Sequence, residues 1–200
     1  MKASRILTDE QCMREALREA RAAAAEGEVP IGAVVVCGDR IIARAHNYTE
    51  RLTDVTAHAE MQLIGMAADY LGGKYLNDCT LYVTVEPCPM CAAALAWAQL
   101  GRLVYAAPDP KRGYTLFTPS LLHPRTEVTS GLLAPEASVL MTEFFKKQRY
   151  SKIINTFASL RSLAKRVWGG APRTLRYGVM VAQQILVLFV QVRILISQQD

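Results

Sequence analysis

The chain has 200 residues, 51% of them hydrophobic and 20% charged, which suffices to bury one good core and makes one main domain the default expectation. Its five cysteines are too few and too unevenly spaced for a disulfide framework. The net charge of +5 is unevenly distributed, because residues 1–143 hold 13 Lys and Arg against 17 Asp and Glu, whereas residues 144–200 hold 10 against 1. If the protein binds nucleic acid, we expect the phosphate contacts near the C-terminal end of the domain.

Helical and extended patterns alternate along the first half of the chain. Thr8 followed by Gln11 resembles a capping box, and the Ala-rich run behind it predicts a helix up to Gly27. A hairpin follows, made of an apolar strand over residues 31–37, a turn at 38–39 and a returning strand over 40–46.

The second half continues this alternation. We predict a helix from His58 to the Gly72-Gly73 stop, a strand over 80–85, a helix over 87–100, a strand over 102–106, a short strand from Val128 and a helix from Pro135 to about Tyr150. The order of the elements indicates an α/β fold of three layers, with helices on both faces of a central mixed sheet.

Two short motifs carry the chemistry, and they are His58-Ala59-Glu60 and Pro87-Cys88-Pro89-Met90-Cys91. One imidazole and two thiolates leave the fourth position of a tetrahedral Zn²⁺ site open, which distinguishes a catalytic site from a closed structural one. Both motifs fall at predicted helix starts, where the helix dipole lowers thiolate pKa values. We therefore predict one zinc ion per chain, held by His58, Cys88 and Cys91, with Glu60 as the general acid and base.

Each motif alone has other interpretations, since a CxxC pair also occurs in redox sites and in structural zinc sites. Together they form the H-x-E…P-C-x-x-C pattern that is typical of zinc-dependent nucleobase deaminases. A zinc-stabilised RNA-binding module with a vestigial site is the non-enzymatic alternative, but such a module has no use for Glu60. Glu86, close to Cys88, either supports the site or is a carboxylate stabilised by the helix dipole.

From Met13 to Arg149 the chain resembles the bacterial tRNA-specific adenosine deaminase family (TadA), within the cytidine/deoxycytidylate deaminase superfamily. The matching stretches are EVPIGAV (28–34), AHN (45–47), TAHAEM (56–61), TLYVTVEPC (80–88), GLL (131–133) and FFKKQR (144–149). The resemblance implies a cytidine-deaminase-like fold, a homodimer, and hydrolytic conversion of the wobble adenosine of a tRNA anticodon to inosine.

The same resemblance implies roles for further residues. Val29 and Asn47 are expected to line the substrate pocket, with the Ala59 backbone near its base. The alternative for Asn47 is capping of a strand end. The basic residues of the 144–149 stretch are expected to contact the anticodon stem, and they are Lys146, Lys147 and Arg149.

A rival interpretation is a guanine or nucleoside deaminase of the same superfamily. The motif at 87–91 and the AWA at 96–98 fit it equally well, whereas the hairpin opening, Asp109-Pro110-Lys111 and the basic last helix fit it less well. The chain also departs from the tRNA-specific family at residues 108–117, where PDPKRGYTLF replaces a glycine-rich run. Tyr114 and Phe117 of this loop either stack on bases or pack on the core.

The cysteines outside the metal motif, which are Cys12, Cys37 and Cys79, are interpreted as small buried hydrophobic residues. Reduced thiolate ligands and the lack of an apolar N-terminal signal favour the cytoplasm. We assign residues 5–152 to the deaminase domain and 153–200 to a basic and apolar extension. Residues 178–196 are apolar but include Gln183, Gln184, Gln191 and Arg193, so membrane association of this tail is not favoured. An accessory helix that packs on the domain or on a dimer is a further alternative. The favoured interpretation is that the tail is not a selected structure.

Overall fold

The computed structural model describes residues 7–168 and Gln184. Its centre is a five-stranded sheet with the strand order β2-β1-β3-β4-β5. The strands are β1 (Gly32–Cys37), β2 (Arg40–His46), β3 (Cys79–Val85), β4 (Arg102–Ala107) and β5 (Glu127–Ser130). β1 is antiparallel to both β2 and β3, whereas β3, β4 and β5 are parallel, so the predicted mixed sheet is confirmed.

Helices cover both faces of the sheet, which confirms the three-layer α/β/α prediction. They are α1 (Asp9–Glu26), α2 (Thr49–Leu52), α3 (Ala59–Leu71), α4 (Pro89–Trp97) and α5 (Ala134–Trp168), with a 3-10 turn at Tyr114–Leu116. On one face, α1 and Ala137 of α5 pack against Val34, Tyr82 and Val104. On the other face, α3 and α4 pack against residues such as Val35, Leu81 and Leu103.

The start of α1 is the predicted capping box. The Gln11 N–H donates to the Thr8 hydroxyl oxygen at 3.2 Å, and the Thr8 N–H donates to the Gln11 side-chain oxygen at 3.1 Å. The helix ends at Gly27, which has a φ of 84°, a conformation that glycine adopts at little cost. Gly32 lets β1 approach α1 closely, because a Cβ at this position would overlap the α1 backbone at Ala16 and Ala20.

Three features differ from the sequence predictions. The short α2 and the 3-10 turn have no strong local pattern and were not predicted. The prediction that the last helix ends near Tyr150 was wrong, since α5 continues to Trp168 and no glycine or proline occurs between Pro135 and Gly169 to end it.

The chain divides into two compact units between Lys147 and Gln148. Within the described part of the chain, no helix is both long and apolar enough to cross a bilayer. The predictions about residues 178–196 lie outside the described residues, apart from the helical assignment of Gln184.

Candidate active site

The starts of two helices bring the three predicted metal ligands together. His58 is the N-cap residue of α3, Cys88 is the N-cap residue of α4, and Cys91 lies in the first turn of α4. The Nδ1 atom of His58 lies 3.7 Å from Cys88 Sγ and 3.5 Å from Cys91 Sγ. The three ligand atoms all lie within 4.8 Å of one another, a separation that one metal ion can bridge.

Hydrogen bonds among the two thiols and the imidazole shift the pKa of each group. Hydrogen bonds from Cys91 and then from His58 lower the pKa of Cys88 to about 4. The hydrogen bond to Cys88, followed by burial, raises the pKa of Cys91, and the hydrogen bond with Cys88 also raises the pKa of His58. The cluster therefore carries negative charge on sulfur beside an imidazole, and a bound cation would displace the remaining thiol proton.

Glu60 lies in the first turn of α3, beside this cluster. Its side chain is 3% exposed, burial raises its pKa, and its carboxyl group hydrogen-bonds with the Cys91 thiol. Among the described residues, its Oε2 atom has no hydrogen-bond partner. A buried carboxylate oxygen without a partner is costly, and such costs occur where a group is held ready for a ligand or substrate. The nitrogen and two sulfur donors and this spare oxygen together fit a single transition-metal ion with its reactants.

Asn47 holds the start of α3 in place. It follows β2, is 3% exposed, and its Oδ1 accepts a hydrogen bond from the Ala59 N–H at 3.0 Å. The side chain therefore supports the helix turn that carries His58 and Glu60, rather than capping its own strand. The Ala59 N–H, which was predicted near the base of the substrate pocket, is already used in this bond.

Glu28 is a buried carboxylate to which sequence reasoning assigned no role of its own. It is 1% exposed and accepts hydrogen bonds from the Thr49 hydroxyl at 3.1 Å, the Glu50 N–H at 3.1 Å and the Arg51 N–H at 2.8 Å. Burial alone would raise its pKa, but these hydrogen bonds outweigh burial and hold the pKa below the usual range. Glu28 thus holds α2 against the segment that contains Val29. Val29 itself is partly buried. No local pattern at residue 28 indicates this contact.

Glu86 holds the loop of residues 108–117. Its carboxylate is buried and accepts hydrogen bonds from the Asp109 N–H at 3.0 Å, the Thr115 N–H at 2.9 Å and the Thr115 hydroxyl at 2.8 Å. Gly113 leaves room for this carboxylate, since a Cβ there would overlap it. These contacts differ from both sequence interpretations. The hydrogen bonds of the Glu86 carboxylate go to the loop, and none goes to the start of α4 or to one of the three metal ligands among the described residues.

The two aromatic residues of this loop have different environments. Tyr114 is buried, its ring meets Tyr105 edge-on with centroids 6.3 Å apart, and burial raises its pKa to about 12. Its N–H also donates to the Pro87 carbonyl at 3.0 Å. Tyr114 therefore packs on the core, as one of the two interpretations predicts, whereas Phe117 is 48% exposed and remains open to a ligand.

The predicted RNA contacts lie on α5, away from the two ligand-bearing helices in sequence. Lys146, Lys147 and Arg149 are all exposed, and the neighbouring Phe144 is buried. His46, another candidate ligand by residue type, is used elsewhere, since its Nδ1 lies 2.9 Å from Glu19 Oε2 on α1.

One imidazole, two thiolates and a nearby carboxylate that is not itself a ligand form the site that zinc-dependent nucleobase deaminases use. The family model described as MafB19-like deaminase matches residues 7–149. A tRNA-specific adenosine deaminase of Agrobacterium fabrum is 46% identical over 142 residues, which cover 68% of this chain and 93% of that protein.

Two solved structures share this fold at different levels of sequence identity. A structure from a study of A-to-I editing by tRNA:A34 deaminases at the wobble position has 47% identity and a TM-score of 0.61, covering 64% of this chain and 97% of that one. A guanine deaminase from Nitrosomonas europaea has 26% identity and a TM-score of 0.60, covering 70% of this chain and 86% of that one. The chain belongs to the tRNA-specific adenosine deaminase family, as the sequence motifs predicted.

Proposed function

We propose that the protein is a zinc-dependent hydrolase that converts the wobble adenosine of a tRNA anticodon to inosine. The main observation behind this proposal is the cluster of His58, Cys88 and Cys91, beside which lies a buried Glu60 oxygen with no hydrogen-bond partner among the described residues. Among the solved structures, the one from the study of tRNA:A34 deaminases is 47% identical to this chain, against 26% for the guanine deaminase of Nitrosomonas europaea, which favours the tRNA substrate.

His58, Cys88 and Cys91 would hold one Zn²⁺ per chain and leave one coordination position for the reaction. When bound, zinc lowers the pKa of water to about 7 and so supplies a nucleophile at neutral pH. Glu60 accepts one proton from the attacking water and delivers it to the adenine ring nitrogen. It then takes the second proton from the hydroxyl group formed on the reacting carbon and gives it to the departing amine. Burial suits this role, because the low surrounding dielectric strengthens each hydrogen bond that Glu60 makes with the reactants.

Substrate binding requires the adenine to leave the stack of the anticodon loop. Val29 supplies an apolar wall of the pocket, and the buried Ala59 sets its depth next to Glu60. The Oδ1 of Asn47 is used by the Ala59 N–H, so its side-chain NH₂ group is the donor that we assign to the ribose or base edge. The exposed Lys146, Lys147 and Arg149 would contact phosphates of the anticodon stem.

The family resemblance supports a homodimer as the assembly and the cytoplasm as the site of action. Every residue with a role in this mechanism lies between residues 5 and 152. We therefore assign catalysis to that domain, and residues 153–200 have no assigned part in it.

A substrate comparison on metal-loaded protein tests the proposal. We expect inosine to form in an anticodon stem-loop with adenosine at the wobble position, and not in a matched stem-loop with that adenosine moved by one position. Ammonia release from free guanine should stay at background. Rapid guanine turnover with an unchanged stem-loop would favour the guanine deaminase alternative. Tight RNA binding without ammonia release from either substrate would favour the vestigial RNA-binding module.

A further inference from the structure

Two cysteines outside the metal cluster lie directly opposite each other on neighbouring strands. Cys37 at the end of β1 is in register with Cys79 at the start of β3. The Cys79 N–H donates to the Leu76 carbonyl at 3.0 Å, so the two cysteines do not exchange backbone hydrogen bonds. Opposite residues of this kind have Cα atoms roughly 4.5 Å apart, inside the range of about 4.4–6.8 Å that disulfides span. A bond between them requires little movement of the strands.

The two side chains share one face of the sheet and have unequal access to solvent. Cys79 is 2% exposed within the core cluster that also contains Leu76 and Leu81, and Cys37 is partly buried and packs against the same cluster. Burial raises the pKa of the Cys79 thiol to about 12, and its interaction with the Cys37 thiol adds to the shift. The two side chains are paired across the strands, and a reagent from solvent reaches the less buried Cys37 first.

We propose that Cys37 and Cys79 form a reversible cross-strand disulfide that locks the sheet in response to small disulfide oxidants. The Cys37 thiolate attacks one sulfur of a small disulfide, forms a mixed disulfide and releases one small thiolate. Cys79 then loses its proton and attacks the Cys37 sulfur, releasing the second small thiolate. The protein loses two hydrogens in total, and one small disulfide is reduced to two thiols.

The position of the pair separates this modification from catalysis. β3 runs from Cys79 to Val85 before it reaches Cys88, so the pair lies at the end of the strand remote from the metal ligands, roughly 20 Å away along the strand. The closed loop of residues 37–79 contains His58 and Glu60. A cross-link of this length restricts the unfolded chain, and the oxidised protein should resist unfolding without losing turnover.

Treatment of the full-length, metal-loaded protein with oxidised glutathione tests the proposal. Trypsin followed by chymotrypsin, without reduction, should give a cross-linked Cys37–Cys79 peptide that disappears with dithiothreitol. Chymotrypsin cleavage after Tyr82 separates Cys79 from Cys88, so the peptide mass identifies the pair. The Tm of the oxidised protein should rise by about 5 °C or more over the reduced protein.

Three variants make this result specific. Cys37→Ser and Cys79→Ala should each abolish both the cross-link and the rise in Tm, whereas Cys12→Ala, at a buried cysteine of α1, should keep both. Glutathione that remains on Cys37 as a stable mixed disulfide would overturn the proposal. A rise in Tm that persists in Cys37→Ser, or a Cys37 thiol that does not react, would overturn it as well.

Discussion

The two cysteines of the metal cluster follow β3, and the loop of residues 108–117 follows the neighbouring β4, but the cluster and the loop are specified in different ways. The ligands of the cluster come from two short motifs at helix starts, so residue type and spacing alone place them. The loop is held by one buried carboxylate, Glu86, through backbone N–H groups more than twenty residues away in sequence. Metal ligands that lie in short contiguous motifs can therefore be predicted from the sequence. The shape of the loop cannot, because it depends on long-range contacts that no local sequence pattern indicates.

The largest effect on metal content and turnover is expected from substitutions in the metal cluster. Cys88→Ala removes one of three ligands, so metal analysis should find loss of the stoichiometric zinc and turnover should fall below detection. Cys79→Ala, at a buried cysteine of the same strand–helix segment, is the matched control and should keep its metal. Stoichiometric zinc in Cys88→Ala would show that the cluster is not the metal site.

Substitutions at Asn47 test a residue that lies in the family-like AHN stretch (45–47) but acts through a tertiary contact. Asn47→Ala leaves the buried Ala59 N–H without a partner and should lower the free energy of unfolding by about 1–3 kcal/mol, with a loss of turnover. Asn47→Asp keeps an oxygen for Ala59 but lacks the NH₂ donor, and should lower kcat/KM while keeping most of the stability. Denaturant unfolding and kinetics measured on both variants separate the two roles. Full activity in Asn47→Asp would leave Asn47 with a structural role alone.

A substitution that adds a single carbon atom tests whether Glu86 holds the loop of residues 108–117. Gly113→Ala places a Cβ against the Glu86 carboxylate and should disturb its hydrogen bonds to the loop, lowering the free energy of unfolding by about 1–3 kcal/mol. Thr115→Val removes only the hydroxyl bond to Glu86 and should cost less. Equal stability of Gly113→Ala and the unchanged protein in urea would show that Glu86 does not fix the loop.

These contacts explain which parts of the site could be predicted. The capping box at Thr8, the mixed sheet and the grouping of His58 with two cysteines follow from residue spacing and helix-end chemistry. Glu28 and Glu86 could not be assigned, because each is a buried carboxylate whose partners are backbone N–H groups of distant segments. The 18-residue underestimate of α5 has a different cause, since the first residues that could end this helix, Gly169 and Gly170, lie well beyond Tyr150 in the sequence.

The smallest expected effect concerns the charges of α5. Replacing Lys146, Lys147 and Arg149 with Gln should weaken RNA binding and reduce the slope of log affinity against log salt by roughly one for each lost phosphate contact. Arg21→Gln, at an exposed position of α1, is the control and should leave the slope unchanged. Salt titrations of stem-loop binding give this slope directly. An unchanged slope in the triple variant would move the RNA contacts elsewhere.

The most direct test of the central claim separates metal binding from proton transfer in one variant. Glu60→Gln keeps His58, Cys88 and Cys91 and replaces the buried carboxylate with an uncharged group of nearly the same shape. We predict unchanged zinc content, a Tm that does not fall, and a turnover of the wobble adenosine lowered by at least ~10² to 10⁴-fold. A Glu60→Gln protein that binds zinc and deaminates the stem-loop at the original rate would contradict the catalytic assignment of this site.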